Sequence, residues 1–202
     1  APDGFVGVPA ARIRELQAER VVIGGRSEVT TDVTVTDGTG ALRTLTAVAQ
    51  EVRLQPGARI DAQDVSLVAT ERITLGQGAQ IVAEGGPTST ERLATGAAAY
   101  LGVTSNPNQS LSVPVASAAR VELGAGSRLQ GVRALISAPG GAAIDPSVDL
   151  RVKGLSVASE RVVLGGSDTP ATGTLVLTDG LLAALGDVDS LALSASREIA
   201  LS

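Results

Sequence analysis

The stretch VSLVATERITLGQGAQIVA, residues 65–83, carries the pattern from which the fold of the whole chain is predicted. Apolar and polar residues alternate in it, most clearly in ERITL at 71–75. A two-residue period is that of a β-strand with one buried and one exposed face. Glycine follows directly at Gly76 and Gly78, so each strand is expected to be short, about 3 to 5 residues, and to end at a turn.

The same pattern recurs in the rest of the chain, which indicates a repeated structural unit. Leu54 and Leu75 occupy the same place in two neighbouring copies and are 21 residues apart; Leu123, Leu164 and Leu201 continue the series at steps of 48, 41 and 37 residues, about twice that spacing. Six copies can be aligned: LQAERVVIGG (16–25), LTAVAQEVRLQPGARIDA (45–62), VSLVATERITLGQGAQIVA (65–83), VPVASAARVELGAGSRLQG (113–131), LSVASERVVLGG (155–166) and LALSASREIALS (191–202).

The apolar residues are almost all Val, Leu, Ile and Ala, and Phe5 and Tyr100 are the only aromatic residues. Large aromatic side chains dominate most compact cores, so their near absence favours a long, narrow core built from similar layers. Short strands at this period allow a parallel β-helix or an antiparallel sandwich or barrel. Because only stacked coils have a reason to repeat their sequence, we predict an all-β chain that forms one β-helix over residues 1–202, with an antiparallel β-sandwich as the alternative.

Three local features complete the predicted fold. Residues 84–112 are rich in Gly, Pro, Ser, Thr and Asn, which predicts an irregular excursion that covers one flank or serves as a contact loop. Leu181, Leu182, Leu185 and Val188 have helical spacing and predict one short helix. The recurring glycines are expected at corners where the backbone needs a positive φ; these are Gly76, Gly124 and Gly165.

Composition argues against several classes of function. The net charge is −5 and the basic residues are dispersed, so nucleic acid is not an expected partner. The chain has no Cys and no His, which removes thiolate metal ligands and the commonest general base. No apolar run reaches the roughly 18 to 20 residues that a bilayer requires, so membrane insertion is not expected. We predict no catalytic residue, no cofactor and no metal site.

Two groups of charged residues have both a structural and a functional interpretation. Glu-Arg pairs at 19–20, 71–72, 91–92 and 160–161 are expected to stack Glu of one strand on Arg of the next, as exposed ion pairs that set register; a ligand-binding stripe is the alternative. Acidic pairs at Asp61 and Asp64, and at Asp187 and Asp189, offer oxygen ligands for Ca²⁺, but no recognised calcium-binding motif accompanies them.

The last 90 or so residues resemble a known family. RLQGVRALISAPGGAAIDPSVDLRVKGLSVASERVVLGG (128–166) and GTLVLTDGLLAALGDVDSLALSASREIALS (173–202) are similar to the repeat-rich part of filamentous haemagglutinin-like exoproteins of Gram-negative bacteria, and LLAALGDVDSLAL at 181–193 is the best marker. The resemblance covers roughly residues 110–202. It implies a right-handed parallel β-helix, export through an outer-membrane secretion partner, and an extracellular, cell-surface location within a longer protein.

The resemblance also implies a function in adhesion, biofilm formation or contact-dependent competition, through a host or bacterial receptor that the sequence does not identify. We therefore expect a structural and adhesive rod segment with no catalysis. A polysaccharide-binding or polysaccharide-degrading β-helix is the alternative, although it lacks the aromatic residues that stack sugars. Both ends read as coils without a polar cap, which predicts contact with adjacent coils or with copies of the chain end to end.

Overall fold

A computed structural model describes residues 20–24, 33–35, 38–85, 97–108, 117–166, 172–185 and 188–201. These residues form fourteen strands and one short helix. The elements in chain order are β1 (Arg20–Gly24), β2 (Val33–Val35), β3 (Gly38–Leu54), β4 (Arg59–Leu75), β5 (Gln80–Ala83), β6 (Ala99–Thr104), β7 (Arg120–Leu123), β8 (Arg128–Gln130), β9 (Arg133–Ala138), β10 (Ala142–Ile144), β11 (Asp149–Arg151), β12 (Gly154–Leu164), β13 (Thr174–Leu177), α1 (Asp179–Ala184) and β14 (Ser190–Leu201).

The described strands belong to one mixed sheet, and part of that sheet closes on itself. Following hydrogen-bonded neighbours from β4 leads through β6, β9, β12, β13, β10 and β7 back to β4, a barrel of seven strands. The other strands extend this barrel: β3 pairs with β4 and also holds β1 and β2, β14 pairs with β12, and β5, β8 and β11 form a series that starts from β4.

The all-β composition is as predicted, but the right-handed parallel β-helix is wrong. Its coils would have to stack as parallel strands throughout, whereas β6 enters antiparallel to both β4 and β9. In addition, β13 lies between β10 and β12, and the pairing of β4 with β7 completes a closed mixed barrel. The antiparallel β-sandwich is not observed either, because every described pairing outside those of β6 is parallel.

Several strands are longer than the sequence predicted. Strands β3 and β4 each have 17 residues, and β14 has 12. The hydrogen bonds continue from one alternating segment into the next with a register shift between them, so one strand contains two of the segments that the sequence predicted as separate short strands. In β4 the first segment pairs with β6 and the second with β7.

Apolar residues line up across the strands in continuous columns, which we define as residues that face one another in successive pairings. Two of these columns run through the core and contain only Val, Leu, Ile and Ala, as a narrow interior requires. The Leu45 column consists of Val21, Leu45, Val65, Val103, Ala134, Leu155 and Leu191. The Val52 column consists of Val33, Val52, Ile73, Val121, Ala142, Leu175, Val162 and Ile199.

The segment predicted to be an irregular excursion, 84–112, contains the regular strand β6. Leu101 and Val103 on one face of β6 are fully buried in the main core. Tyr100 on the other face is buried in a small second cluster with Val68, Ala98 and Leu135. Residues 86–96 and 109–112 of this segment lie outside the described residues.

The short helix was predicted correctly and is held by an ordinary cap. It spans Asp179–Ala184, and Thr178 precedes it as the N-cap, with its side-chain oxygen accepting a hydrogen bond from the backbone N of Leu181. Leu181 is buried, whereas Val188 lies beyond the end of the helix. Among the described residues, no helix combines the length and apolar character needed to span a membrane.

Three corner glycines were predicted to need a positive φ, and only one of them has it. Gly165 has a φ of 87°, as expected. Gly76 and Gly124 do not have a positive φ; they are required because a Cβ would lie 2.7 Å from the backbone N of Pro56 and 2.8 Å from the backbone O of Leu75, respectively. At these two corners glycine provides space for neighbouring backbone.

Candidate interaction surface at strand β14

Strand β14 is an edge of the sheet that carries exposed apolar side chains. It pairs with β12 and with no other described strand. Leu191, Ile199 and Leu201 are 41%, 50% and 83% exposed. Their neighbours in β12 at the first two positions, Leu155 and Val162, are completely buried. Among the described residues no strand lies on the other side of β14, and its apolar side chains are exposed there, whereas their neighbours in β12 are covered.

The position of β14 on β12 is set by two reciprocal ion pairs. Arg197 Nε lies 2.6 Å from a carboxylate oxygen of Glu160, and Arg161 Nε lies 3.0 Å from a carboxylate oxygen of Glu198. The two strands change register between these pairs and the preceding segment, at Ser159. Exposed pairs of this kind contribute about 0 to 1 kcal/mol each, so they orient the strand more than they stabilise it.

The prediction that Glu stacks on Arg across strands is confirmed for the pair at 160–161 and for Arg72, whereas Glu71 contacts a glutamine. The pair at 160–161 makes the two contacts to β14, and Arg72 lies 3.7 Å from Glu122 on β7. Glu71 accepts a hydrogen bond from the Gln50 side chain at 2.5 Å. Glu19 and the pair at 91–92 fall outside the described residues, and the side chain of Arg20 is not described either.

A second group of polar residues surrounds strand β6 and is mostly buried. Ser66 Oγ and Tyr100 Oη are 3.1 Å apart and share a hydrogen bond. Thr104 donates its hydroxyl to the Asp64 carboxylate and accepts a hydrogen bond from the backbone N of Asn106 at 2.9 Å. These contacts join β6 to β4 on its outer face. Each hydroxyl has a structural partner, so the group holds the antiparallel strand in place.

Burial changes the acidity of two members of this group. Desolvation raises the pKa of Asp64, although the hydrogen bond from Thr104 opposes the change. Desolvation likewise raises the pKa of the Tyr100 phenol, which the Ser66 hydrogen bond lowers and the nearby Asp64 charge raises. The ionised form of Asp64 is therefore less favourable in the folded chain than in the unfolded chain.

In the wild type, the raised pKa of Asp64 makes the folded chain less stable as pH rises, and Asp64→Asn is expected to abolish this pH-dependent loss. A raised pKa in the folded state means that the folded chain binds the proton more tightly than the unfolded chain. The wild type therefore loses stability as pH increases from the ordinary Asp value of 3.8 through the raised value, and Asp64→Asn does not. Urea denaturation over a series of pH values should show the stability of the variant increasing relative to the wild type across this window.

Asp145→Asn serves as a control of opposite sign. Hydrogen bonds from the side chain and the backbone N of Ser147 lower the pKa of Asp145, which is half-buried. Its contribution is therefore present above the ordinary pKa and lost on acidification, so the wild type should be favoured over Asp145→Asn at neutral pH. A wild-type to Asp64→Asn difference that does not change with pH would contradict the assignment.

An open groove of about 520 Å³ lies along the outer face of β4, β7, β10 and β13. It contains the carboxylates of Glu122 and Asp145, and each of them has a partner of its own. Glu122 is paired with Arg72, and Asp145 accepts a hydrogen bond from Ser147 Oγ at 2.5 Å. Its lining contains no aromatic side chain: Thr74, Leu75, Gly76, Glu122, Leu123, Gly124, Ala142, Ala143, Ile144, Asp145, Val176 and Thr178.

The acidic residues considered as Ca²⁺ ligands do not form a common site in the described part of the chain. Asp61 lies 2.7 Å from Arg59 in an ion pair, while Asp64 accepts from Thr104. Asp189 is exposed, and Asp187 lies outside the described residues. In the described ranges no three acidic side chains come together as a metal site would need.

Comparison with known proteins found no relative of this chain. No family model, no curated protein and no solved structure matches the chain. The similarity to filamentous haemagglutinin-like exoproteins therefore stays a prediction from sequence. The feature of the structure that points most directly to a partner is the edge of β14, which sequence analysis did not distinguish from the buried copies of the same repeat.

Proposed function

We propose that this chain is a structural and adhesive segment of a secreted bacterial surface protein, without catalytic activity, and that it binds its partner through the edge of β14. The observation that carries the proposal is the exposure of Leu191, Ile199 and Leu201 on a strand that has a neighbour on one side only among the described strands. An unpaired strand edge with apolar side chains is a template for strand addition, in which backbone hydrogen bonds supply affinity and side-chain pockets supply specificity.

The charged residues support a scaffold in preference to a reaction centre. Arg72, Glu122, Arg161 and Glu198 are engaged in ion pairs between neighbouring strands, at exposed positions. The chain also has no His and no Cys. A catalytic pair would require carboxylates that face a common substrate, whereas the two in the groove each have a structural partner.

The location and the export route rest on the family resemblance. On that basis the chain is an extracellular, cell-surface segment of a Gram-negative bacterium and reaches the surface through an outer-membrane secretion partner. Polysaccharide binding or degradation has no comparable support, because the groove lacks aromatic residues on which a sugar would stack.

Surface display in a non-adherent Gram-negative strain tests this function. Cells that display the wild-type chain are expected to attach to epithelial monolayers or to aggregate, unlike cells without it. Ile199→Lys places a charge in the open column and should reduce attachment at least about tenfold, since a buried charge without a partner costs several kcal/mol at an interface.

Ala143→Lys is the matched control, because it adds the same charge at an exposed position on β10, far in sequence from the edge strand. It should leave attachment unchanged at equal display levels. Equal behaviour of cells with and without the wild-type chain would refute the adhesive function, and equal loss in both variants would refute the role of β14.

A further inference from the structure

Strand β6 is joined to the rest of the chain differently from the strands around it. Its pairings with β4 and β9 are the only antiparallel ones among the described strands. From β3 to β5 and from β7 to β12, successive strands are connected by two to four residues, whereas fifteen residues, 84–98 and 105–119, lie on either side of β6. Short turns therefore do not fix β6 to the strands that precede and follow it in the chain.

The parts of the chain before and after β6 are also held together without it. The second segment of β4, Arg72–Leu75, pairs directly with β7, and β5 pairs directly with β8. These pairings do not include β6, so only the first segment of β4, residues 64–69, and β9 would lose a neighbour if β6 left the sheet. The loss of β6 can therefore stay local.

Apolar contacts hold β6 in the sheet. Leu101 lies between Leu67 of β4 and Ile136 of β9, and all three side chains are completely buried. Because separation of these side chains would expose them to water, the closed form is favoured. An open form of this strand is accordingly a minor state of the folded chain.

The turn that follows β6 is attached to the same two strands. The backbone N of Ser105 donates to the O of Gln63 in β4 at 3.0 Å. On the other side, Arg133 Nη1 of β9 donates to the O of Pro107, also at 3.0 Å. These contacts would break together with the strand pairings. We therefore define the β6 segment as residues 99–108, which comprise the strand and this turn.

Two polar side chains at the β6 interface lower the cost of opening. The Ser137 hydroxyl on β9 faces Tyr100, is completely buried and has no hydrogen-bond partner among the described residues. The Asp64 carboxylate on β4 faces Thr104 and is half-buried, and burial penalises its ionised form. Both groups would regain water when the β6 segment leaves, which offsets part of the loss of apolar contacts.

We propose that the β6 segment detaches from β4 and β9 as one unit while the other described strands stay paired. Cooperative units of a folded protein open locally where few contacts tie them to the rest. The open form exposes Leu67 and Ile136 and leaves two strand edges unpaired, to which an extended segment with alternating apolar residues can add. The inference depends neither on the proposed function nor on the edge of β14.

Native-state hydrogen exchange of the purified chain, followed residue by residue at increasing urea below the unfolding transition, tests the inference. The amides of β6 should exchange at least about tenfold faster than those of Arg72–Leu75, which lie between β3 and β7. Their rates should change little at low urea, because local opening exposes little surface. At higher urea the two groups should converge as global unfolding takes over.

A disulfide that ties β6 to β4 gives the sharpest result. Ala69 and Ala99 face each other across these strands and are completely buried, and the chain has no cysteine of its own. In the Ala69→Cys/Ala99→Cys variant, oxidation should slow exchange of the β6 amides at least about tenfold, and reduction should restore the wild-type rate. Ala49→Cys/Ala69→Cys is the matched control, because it ties the same position to β3, and its oxidation should leave β6 unchanged.

Three results would overturn the inference. Equal exchange rates and equal urea dependence in β6 and in the second segment of β4 would show that β6 opens only when the whole chain unfolds. A β6 rate that does not respond to oxidation of the Ala69→Cys/Ala99→Cys variant would show motion within the strand. Equal slowing by both disulfides would show that opening also involves β3. If a cysteine pair fails to oxidise, the wild-type comparison decides alone.

Discussion

Gly140→Ala is expected to lower the free energy of unfolding by about 3 kcal/mol, the upper end of the range for overpacked positions. Gly140 lies at the corner between β9 and β10. A Cβ there would lie 2.9 Å from the backbone O of Ala119 and nearer still to the carbonyl group of Ala118. Both obstacles are backbone atoms, and the N of Gly140 also donates to the O of Ala119 at 2.7 Å. The corner can accept a methyl group only if the neighbouring turn moves.

Gly57→Ala is the control that measures the cost of backbone strain alone, without a steric clash. Gly57 has a φ of 73°, and no atom lies within 4 Å of the place where its Cβ would be. Its substitution should cost only the left-handed conformation of alanine, about 1 to 2 kcal/mol. Both values can be measured by urea denaturation at neutral pH. A Gly140→Ala variant as stable as Gly57→Ala or more so would show that the corner is not closely packed.

Alternation in the sequence identified the strands because burial alternates within each segment. The apolar positions of ERITL, Ile73 and Leu75, are fully buried, whereas Glu71 and Arg72 are exposed. The repeat of Leu54 and Leu75 is also real at the level of register, since these residues face each other across β3 and β4. Such features depend on nearby residues, and a periodic pattern expresses them directly.

The closed mixed barrel depends on interactions that no local pattern expresses. Strand β6 has its own alternation, with Leu101 and Val103 on the buried face, but Gly, Pro and Ser residues around it led to the prediction of an irregular excursion. Nothing in an alternating segment states whether it runs parallel or antiparallel to its neighbours. That direction is set by the path of the connecting segments, and here it decides the fold class.

The candidate surface was hidden from sequence analysis for a related reason. Leu191 and Ile199 have the same alternation as Leu155 and Val162, which are buried. Burial of a repeat position depends on whether another strand follows, and the repeat is the same in both cases. The ion pairs were predictable because Glu and Arg are adjacent in sequence; the free edge was not, because it is a property of strand order.

Leu101→Ala is expected to lower the free energy of unfolding by about 3 kcal/mol, within the range for large-to-small substitutions in a core. Leu101 faces Leu67 of β4 on one side and Ile136 of β9 on the other, and all three side chains are completely buried. Truncation would leave a cavity between two strands that β6 alone connects at this level. Rigid neighbours on both sides limit how far that cavity can collapse.

Leu201→Ala removes the same atoms from an 83% exposed side chain and is the matched comparison. Its effect should stay within about 0.5 kcal/mol, as for surface positions in general. Urea denaturation of the two variants at a concentration that keeps the chain monomeric gives the difference directly. If β6 were a covering segment outside the core, Leu101→Ala would cost little more than Leu201→Ala, and the antiparallel strand would have no part in closing the barrel. A loss several times larger for Leu101→Ala would instead show that β6 transmits packing from β4 to β9, which is the contact that makes the sheet mixed.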